Sequence, residues 1–170
     1  DFLIAHKILH IDEMVSIEHD DIGYRRAEFN KPFKSVSIVN EMSTAALRSL
    51  CADQKFNACP WFTWLDYDGT FDETAAEDLR LTVESAPTNT ALVMTFNADP
   101  RRYGKPKDRP ERLRSVFGEI VPDRLSKEDC EGDKLSTLLA QFAINSMKSA
   151  AASVRRPGGF IPCFRIVYRD

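Results

Sequence analysis

Asp66 and Asp68 stand one residue apart at the end of an apolar, strand-like stem, in the segment Phe62-Thr63-Trp64-Leu65-Asp66-Tyr67-Asp68-Gly69-Thr70. The pattern D-x-D-G-T, with a turn glycine, could supply an aspartyl nucleophile and a general acid that act together with Mg²⁺. Alternatively, a carboxylate at the end of a parallel strand could orient a ligand at the edge of a sheet. The elements around the motif must decide between these two chemistries.

Helical and strand-like patterns alternate along most of the chain. Helices are predicted over 2–11 (capped by Asp1), 20–29, 44–52, 73–85 (capped by Asp72) and 135–154, strands over 13–18, 35–39, 61–65, 91–96 and 160–168, and a loop over 99–110. This alternation favours an α/β fold with a doubly wound, mainly parallel sheet and helices on both faces. The last strand, which contains Pro162, is expected at an edge or antiparallel. Trp61 and Trp64 are expected in the core.

Polar side chains follow the predicted strands where each strand ends. They are Glu18, Asn40 with Glu41, Asp66 with Asp68, and Thr95 with Asn97. Parallel strands end at the same side of a sheet, and ligands of open α/β sheets bind beyond that side. We therefore expect these residues on one rim, around a ligand.

The composition indicates one ordinary domain: 170 residues with a formal net charge of −3. A contact with an anionic ligand or nucleic acid is expected only at a local basic segment, 101–114, which contains Arg101, Arg102, Lys105, Lys107, Arg109, Arg112 and Arg114. The four cysteines and three histidines form no metal-ligand pattern, so no metal site is predicted. There is no membrane-length apolar run and no signal peptide, so we expect no membrane contact and a cytoplasmic location.

One resemblance covers the motif alone. Asp66-Tyr67-Asp68-Gly69-Thr70 is similar to the nucleophile motif of haloacid-dehalogenase-like phosphatases, which implies a Mg²⁺-dependent phosphatase, and Thr95 matches that family's phosphate-binding threonine. However, two strand-helix units precede the motif, and no later strand ends in the second acidic pair of that family. The phosphatase therefore remains an alternative.

A second enzyme class accounts for more of the chain. In a Rossmann-like domain, the second strand ends in an acidic residue that bonds ribose hydroxyls, about 20 residues after a glycine-rich loop. Glu18 fits this position if the first strand and its glycine turn precede Asp1. We therefore expect residues 1–170 to form a single Rossmann-like domain that is part of a longer polypeptide.

A resemblance to a known family spans most of the chain. It is carried by the segments 1–18, Glu28-Phe29-Asn30-Lys31-Pro32-Phe33, Trp64-Leu65-Asp66-Tyr67-Asp68-Gly69 and Thr95-Phe96-Asn97-Ala98. The chain resembles the family of putative O-methyltransferases found in bacteria and phage-related loci. The resemblance implies S-adenosylmethionine as cofactor and leaves the methyl acceptor open.

The resemblance also implies roles for individual residues. Glu18 would hold the ribose, Asn40, Glu41 and Met42 would flank the adenine, and Asp66 would face the methionine portion or the acceptor. Asp68 and Asn97 would contact the acceptor, and no metal is required. Because the glycine-rich loop is not in this sequence, a non-catalytic Rossmann-like binding or scaffold domain is a third alternative.

Overall fold

The computed structural model describes residues 2–168, a mixed α/β chain that divides into two compact units, residues 1–52 and residues 53–170. Each unit contains one two-stranded parallel sheet. The prediction of an α/β fold with parallel strands is confirmed at this level. A doubly wound sheet with helices on both faces stays a prediction, as does the single domain.

The first unit alternates three helices and two strands. Their bounds are α1 Phe2–Lys7, β1 Met14–Glu18, α2 Asp21–Asn30, β2 Val36–Asn40 and α3 Ser43–Ala52. Strands β1 and β2 pair in parallel, from Met14 opposite Val36 to Glu18 opposite Asn40. Both strands consequently end at the same level, as the sequence pattern requires. The predicted cap Asp1 lies outside the described residues.

In the second unit, one helix separates the two strands in sequence, and two further helices follow. Its elements are β3 Phe62–Thr70, α4 Glu73–Ser85, β4 Ala91–Asn97, α5 Arg109–Phe117 and α6 Gly132–Ser153, with short 3₁₀ turns between them. Asp72 caps α4 as predicted, because its carboxylate accepts the backbone N–H of Ala75 at 3.0 Å. The cap fixes where β3 stops and the helix starts.

Aromatic and aliphatic side chains fill the core of the second unit. Phe71 stacks on Phe117 with ring centroids 4.7 Å apart and meets Phe96 edge-on at 5.2 Å. Phe117 also contacts Phe142 of α6 at 5.4 Å. Leu79, Leu135 and Leu139 are fully buried. Burial of these apolar side chains is the main force that holds α4, α5 and α6 around the sheet.

Two predicted features of the second unit differ from the structure. Residues 160–168 form no strand and are mostly exposed, because their backbone finds no neighbouring strand to pair with in the described residues. The segment predicted as a loop over 99–110 contains two 3₁₀ turns and leads into α5, which was not predicted. Pro110 at the first turn of α5 suits a helix start, where its missing N–H costs nothing.

Arg156 closes the C-terminal end of α4. Its guanidinium donates to the carbonyls of Val83, Ala86 and Pro87 at 2.9, 2.6 and 2.5 Å. Carbonyls at a helix C-terminus lack partners within the helix, and a cation there also offsets the helix dipole. Arg156 therefore ties the chain after α6 back to α4.

We expect Arg156→Ala to lower the free energy of unfolding by about 1.5–3 kcal/mol, the range for hydrogen bonds that involve a charged group. Arg156→Lys should retain part of this, since an ammonium group cannot reach three carbonyls at once. The exposed Arg165, replaced in Arg165→Ala, is the matched control. Urea unfolding measures all three variants, and equal midpoints for Arg156→Ala and Arg165→Ala would contradict the role of this contact.

Candidate active site

The four residues predicted to bind the cofactor meet at the C-terminal edge of the first sheet. Glu18 and Asn40 are opposite each other as the last pair of β1 and β2, and the N–H of Glu41 donates to the carbonyl of Glu18 at 3.0 Å. Met42 follows directly before α3, with 56% of its surface exposed. The parallel register thus brings together residues that are more than 20 positions apart in sequence.

The Glu18 carboxylate lies half-buried above the start of α2. It accepts only a long hydrogen bond, 3.5 Å, from the Ser16 hydroxyl, and within residues 2–168 it pairs with no cationic side chain. Gly23 makes this arrangement possible, because a Cβ there would lie 3.2 Å from Glu18 Oε2 and 2.5 Å from Asp20 Oδ2. A half-buried carboxylate without a cationic partner can accept hydrogen bonds from hydroxyl groups of a ligand.

Asp20 is fully committed to the fold at this edge. It caps α2 by accepting the N–H groups of Ile22 and Gly23, both at 2.9 Å. The backbone hydrogen bond from Gly23 is the main cause that lowers the pKa of Asp20. Asp20 therefore shapes the edge through its Oδ1, which accepts both N–H groups.

Asp66 lies within β3, opposite Thr95 of β4, and not at the end of the strand as predicted. The Thr95 hydroxyl donates to Asp66 Oδ1, and the indole Nε1 of Trp64 donates to the Thr95 oxygen at 3.5 Å. Asp66 and Trp64 are both exposed, the latter by 44%. The prediction that Trp64 belongs to the core is therefore wrong: its position on β3 points away from the helices.

The predicted turn at Gly69 is also wrong, because β3 continues to Thr70. After the pair Asp66 and Thr95, the next pair is Thr70 and Asn97, so β3 uses four residue steps where β4 uses two. The extra residues of β3, which include Asp68, bulge out of the ladder. Asp68 lies in this bulge, directly after Asp66 and Tyr67, and is exposed.

Asn97 ends β4 and turns the chain. Its side-chain oxygen accepts the N–H of Asp99 at 2.8 Å, which leaves its amide N–H₂ group as a donor. Its carbonyl accepts the hydroxyl of Tyr103 at 3.0 Å, and that hydroxyl accepts the N–H of Phe71 at 2.9 Å. Tyr103 thus links the ends of β3 and β4 next to the predicted acceptor residues.

Burial raises the pKa of Tyr103 to about 12. The folded protein holds this proton more tightly than the unfolded chain, whose tyrosine titrates near pH 10. The contribution is complete below about pH 10 and lost as the pH rises towards 12, so we expect stability to fall by roughly 2 kcal/mol over that interval. Urea unfolding between pH 8 and 11.5 measures it.

Tyr103→Phe should abolish the loss of stability that comes from deprotonation of Tyr103 at high pH. The same substitution should lower stability at pH 8 by about 1–2 kcal/mol, since the N–H of Phe71 loses its acceptor. The control is Tyr168→Phe, which removes an exposed phenol. An unchanged alkaline slope in Tyr103→Phe would show that Tyr103 titrates as an ordinary surface tyrosine.

Structural contacts engage four of the seven cations in the basic segment 101–114. Arg101 pairs with Asp99 at 2.6 Å, and this guanidinium lowers the pKa of Asp99 to about 2. Arg109 is buried and donates to the carbonyls of Gly104 and Cys130. Arg112 donates to Thr70 Oγ1 at 3.2 Å and Arg114 to the carbonyl of Asp123 at 3.0 Å. The predicted contact with an anionic partner stays a prediction.

Two further structural findings bear on the kind of site. Within residues 2–168, no three His, Cys, Asp or Glu side chains come close enough to hold a metal ion. None of the helices in that range is long and apolar enough to cross a membrane.

The sequence interpretation missed Trp64 as an exposed residue and Tyr103 as the link between the strand ends. The alternation of side chains along β3 could have predicted that Trp64 is exposed. Trp64 and Asp66 are two residues apart, so their side chains point to the same face of the strand. Nothing in the sequence marks Tyr103, because it lies in an irregular segment and reaches its partners only through the tertiary fold.

Comparison with known proteins gives one match. A family model described as "Putative O-methyltransferase" matches residues 1–170, the whole length of this sequence. No curated protein matches significantly, and neither does any solved structure. The mixed α/β chain with short parallel sheets is compatible with a methyltransferase fold.

Proposed function

We propose that this chain, which belongs to the family described as "Putative O-methyltransferase", transfers a methyl group from S-adenosylmethionine to an oxygen atom of an acceptor. Family membership supports the reaction class. The geometric observation that supports the cofactor most directly is the Glu18 carboxylate at the end of β1, level with Asn40 and without a cationic partner in the described residues. A Rossmann-like fold with a glycine-rich loop before Asp1 belongs to the same proposal.

The residues at the first sheet edge fit the nucleoside part of the cofactor. Glu18 would accept the ribose hydroxyls through its two carboxylate oxygens. Asn40 and Glu41 are exposed and would contact the adenine edge; the Asn40 amide N–H₂ donates to Asp21 Oδ1 at 3.0 Å, and its side-chain oxygen would accept from the adenine. The exposed thioether side chain of Met42 would cover the face of the adenine. When bound, S-adenosylmethionine supplies an electrophilic methyl group.

The residues around Asp66 in the second sheet are proposed to contact the methyl acceptor. Asp66 is proposed as the general base that receives the acceptor's hydroxyl proton, and Asp68 and Asn97 as groups that orient the acceptor. The acceptor oxygen forms the new O–C bond as the C–S bond breaks, and the electron pair of that bond stays on sulfur. Thr95 holds the Asp66 carboxylate by donating to one of its oxygens.

Calorimetric titration with S-adenosylmethionine tests the proposal. We expect saturable binding to the wild-type protein, with adenosine binding more weakly and methionine alone giving no saturable heat. No binding of S-adenosylmethionine would contradict the proposal. Binding of a phosphate ester that needs Mg²⁺ would instead favour the phosphatase, and cofactor binding without any methyl transfer would favour the non-catalytic domain.

A further inference from the structure

One face of β3 presents aromatic and acidic side chains to solvent. Every second residue from Phe62 to Asp68 is exposed, with Phe62 at 49% and Trp64 at 44%. The intervening residues face the helices: Leu65 is buried, and the hydroxyl of Tyr67 donates to Asp78 of α4 at 2.6 Å. Two aromatic rings and the Asp66 carboxylate therefore share the open face, and the exposed Asp68 follows in the bulge.

The indole of Trp64 makes one long hydrogen bond on this face. Its Nε1 donates across to Thr95 of β4, and Thr95 is the register partner of Asp66, two positions further along β3. The ring thus extends across the sheet towards Asp66 while much of its surface stays in water. An exposed aromatic ring next to a carboxylate is a platform for a second ring that carries a hydrogen-bond donor.

We infer that this face binds the methyl acceptor and that the acceptor is a small molecule with an aromatic hydroxyl group. This inference rests on the proposed function. The acceptor's ring stacks on Trp64, and its hydroxyl donates to Asp66. Residues two apart on a strand are separated by about 6.6–7 Å, a distance that a single phenolic ring with its oxygen spans.

The hydrogen bonds of Asp66 suit this role. Thr95 donates to Oδ1, so Oδ2 is the oxygen that faces the acceptor's hydroxyl. An aromatic hydroxyl has a pKa near 10, as in tyrosine, far below that of an aliphatic alcohol, so its proton passes more readily to a carboxylate. Asp66 would accept the hydroxyl proton when the oxygen is methylated.

The charges on this face argue against nucleic acid as its ligand. A stacked base would bring phosphates close to Asp66 and Asp68, two exposed carboxylates. Two arginines of the basic segment, Arg101 and Arg112, are engaged with Asp99 and Thr70. A small, uncharged aromatic molecule meets no such repulsion.

Tryptophan fluorescence tests the binding of such a molecule. The chain has two tryptophans, so Trp61→Phe leaves Trp64 as the only reporter. We expect saturable quenching by catechol and none by trans-1,2-cyclohexanediol, which has the same hydroxyls without the aromatic ring. Circular dichroism checks that Trp61→Phe is folded, and calorimetry with the wild-type protein repeats the titration without any substitution.

Variants at Trp64 separate stacking from general hydrophobic binding. Trp64→Leu should weaken catechol binding about tenfold, the amount a lost aromatic pair costs, whereas Trp64→Phe should retain most of the affinity. Phe164→Leu removes another exposed aromatic ring, 70% exposed, and should change nothing. Asp66→Asn should also weaken binding about tenfold, because the hydroxyl loses its charge-assisted bond.

The outcomes distinguish this inference from the proposed function. Binding of S-adenosylmethionine without Trp64-dependent binding of catechol overturns only the aromatic acceptor. Trp64-dependent binding of catechol without any binding of S-adenosylmethionine leaves the aromatic site and overturns the methyltransferase. Quenching by oligothymidylate at lower concentration than by catechol, lost in Trp64→Leu, would overturn the assignment to a small molecule.

Discussion

Asp66→Asn is expected to slow methyl transfer about 10²-fold, the usual contribution of a general base or a positioning contact. Asparagine keeps the shape of the side chain and can still accept the hydroxyl of Thr95, but it cannot receive a proton. Transfer of tritium from S-[methyl-³H]adenosylmethionine to catechol measures the rate. Addition of EDTA should not change it, because the proposed reaction requires no metal.

Asp123→Asn is the matched control, since it removes one exposed carboxylate elsewhere in the same unit. It should leave the rate unchanged. The phosphatase makes the opposite prediction at Asp66: hydrolysis of p-nitrophenyl phosphate that requires Mg²⁺ and disappears completely in Asp66→Asn. That result would show that Asp66 is a covalent nucleophile and not a base.

Glu18→Ala should weaken S-adenosylmethionine binding by about 2–3 kcal/mol, roughly 30- to 150-fold in Kd, because the ribose loses its charge-assisted hydrogen bonds. Glu18→Gln keeps one acceptor oxygen without the charge, so it should lose less of the affinity for S-adenosylmethionine. Stability should barely change, since the carboxylate makes only one long hydrogen bond in the described structure. Calorimetry gives the affinity, and urea unfolding gives the stability.

The control for Glu18 is Glu28→Gln, which removes one negative charge from the same unit. Glu28 pairs with Lys31 at 2.9 Å, in the last turns of α2 and away from the sheet edge. Its substitution should not affect cofactor affinity. If Glu18→Ala bound S-adenosylmethionine as tightly as Glu28→Gln, Glu18 would have no part in holding the ribose.

The amino-acid sequence by itself determined the helices and strands that are specified by patterns of neighbouring residues. Strands β1, β2 and β4, the helix capped by Asp72 and the long helix before Pro157 were predicted to within a few residues, because apolar periodicity and capping groups act over one or two turns. Strand β3 was predicted over 61–65 but continues to Thr70. The same patterns indicated that polar residues end the strands, which is correct for Glu18, Asn40 and Asn97. Asp66 lies within β3, and the predicted single rim is wrong, because the four residues belong to two separate sheets. The family resemblance, read from short segments, agrees with the family that matches residues 1–170.

Only the tertiary structure decided the register and the exposure of the site residues. The pairing of Asp66 with Thr95 joins residues 29 positions apart, and the bulge after it keeps β3 extended where Gly69 indicated a turn. The strand-like segment 160–168 found no partner and stayed out of both sheets, since a strand exists only when its backbone groups pair. Trp64 is of a residue type that usually lies in the core. Whether it is available to a ligand depends on which face of β3 the helices cover.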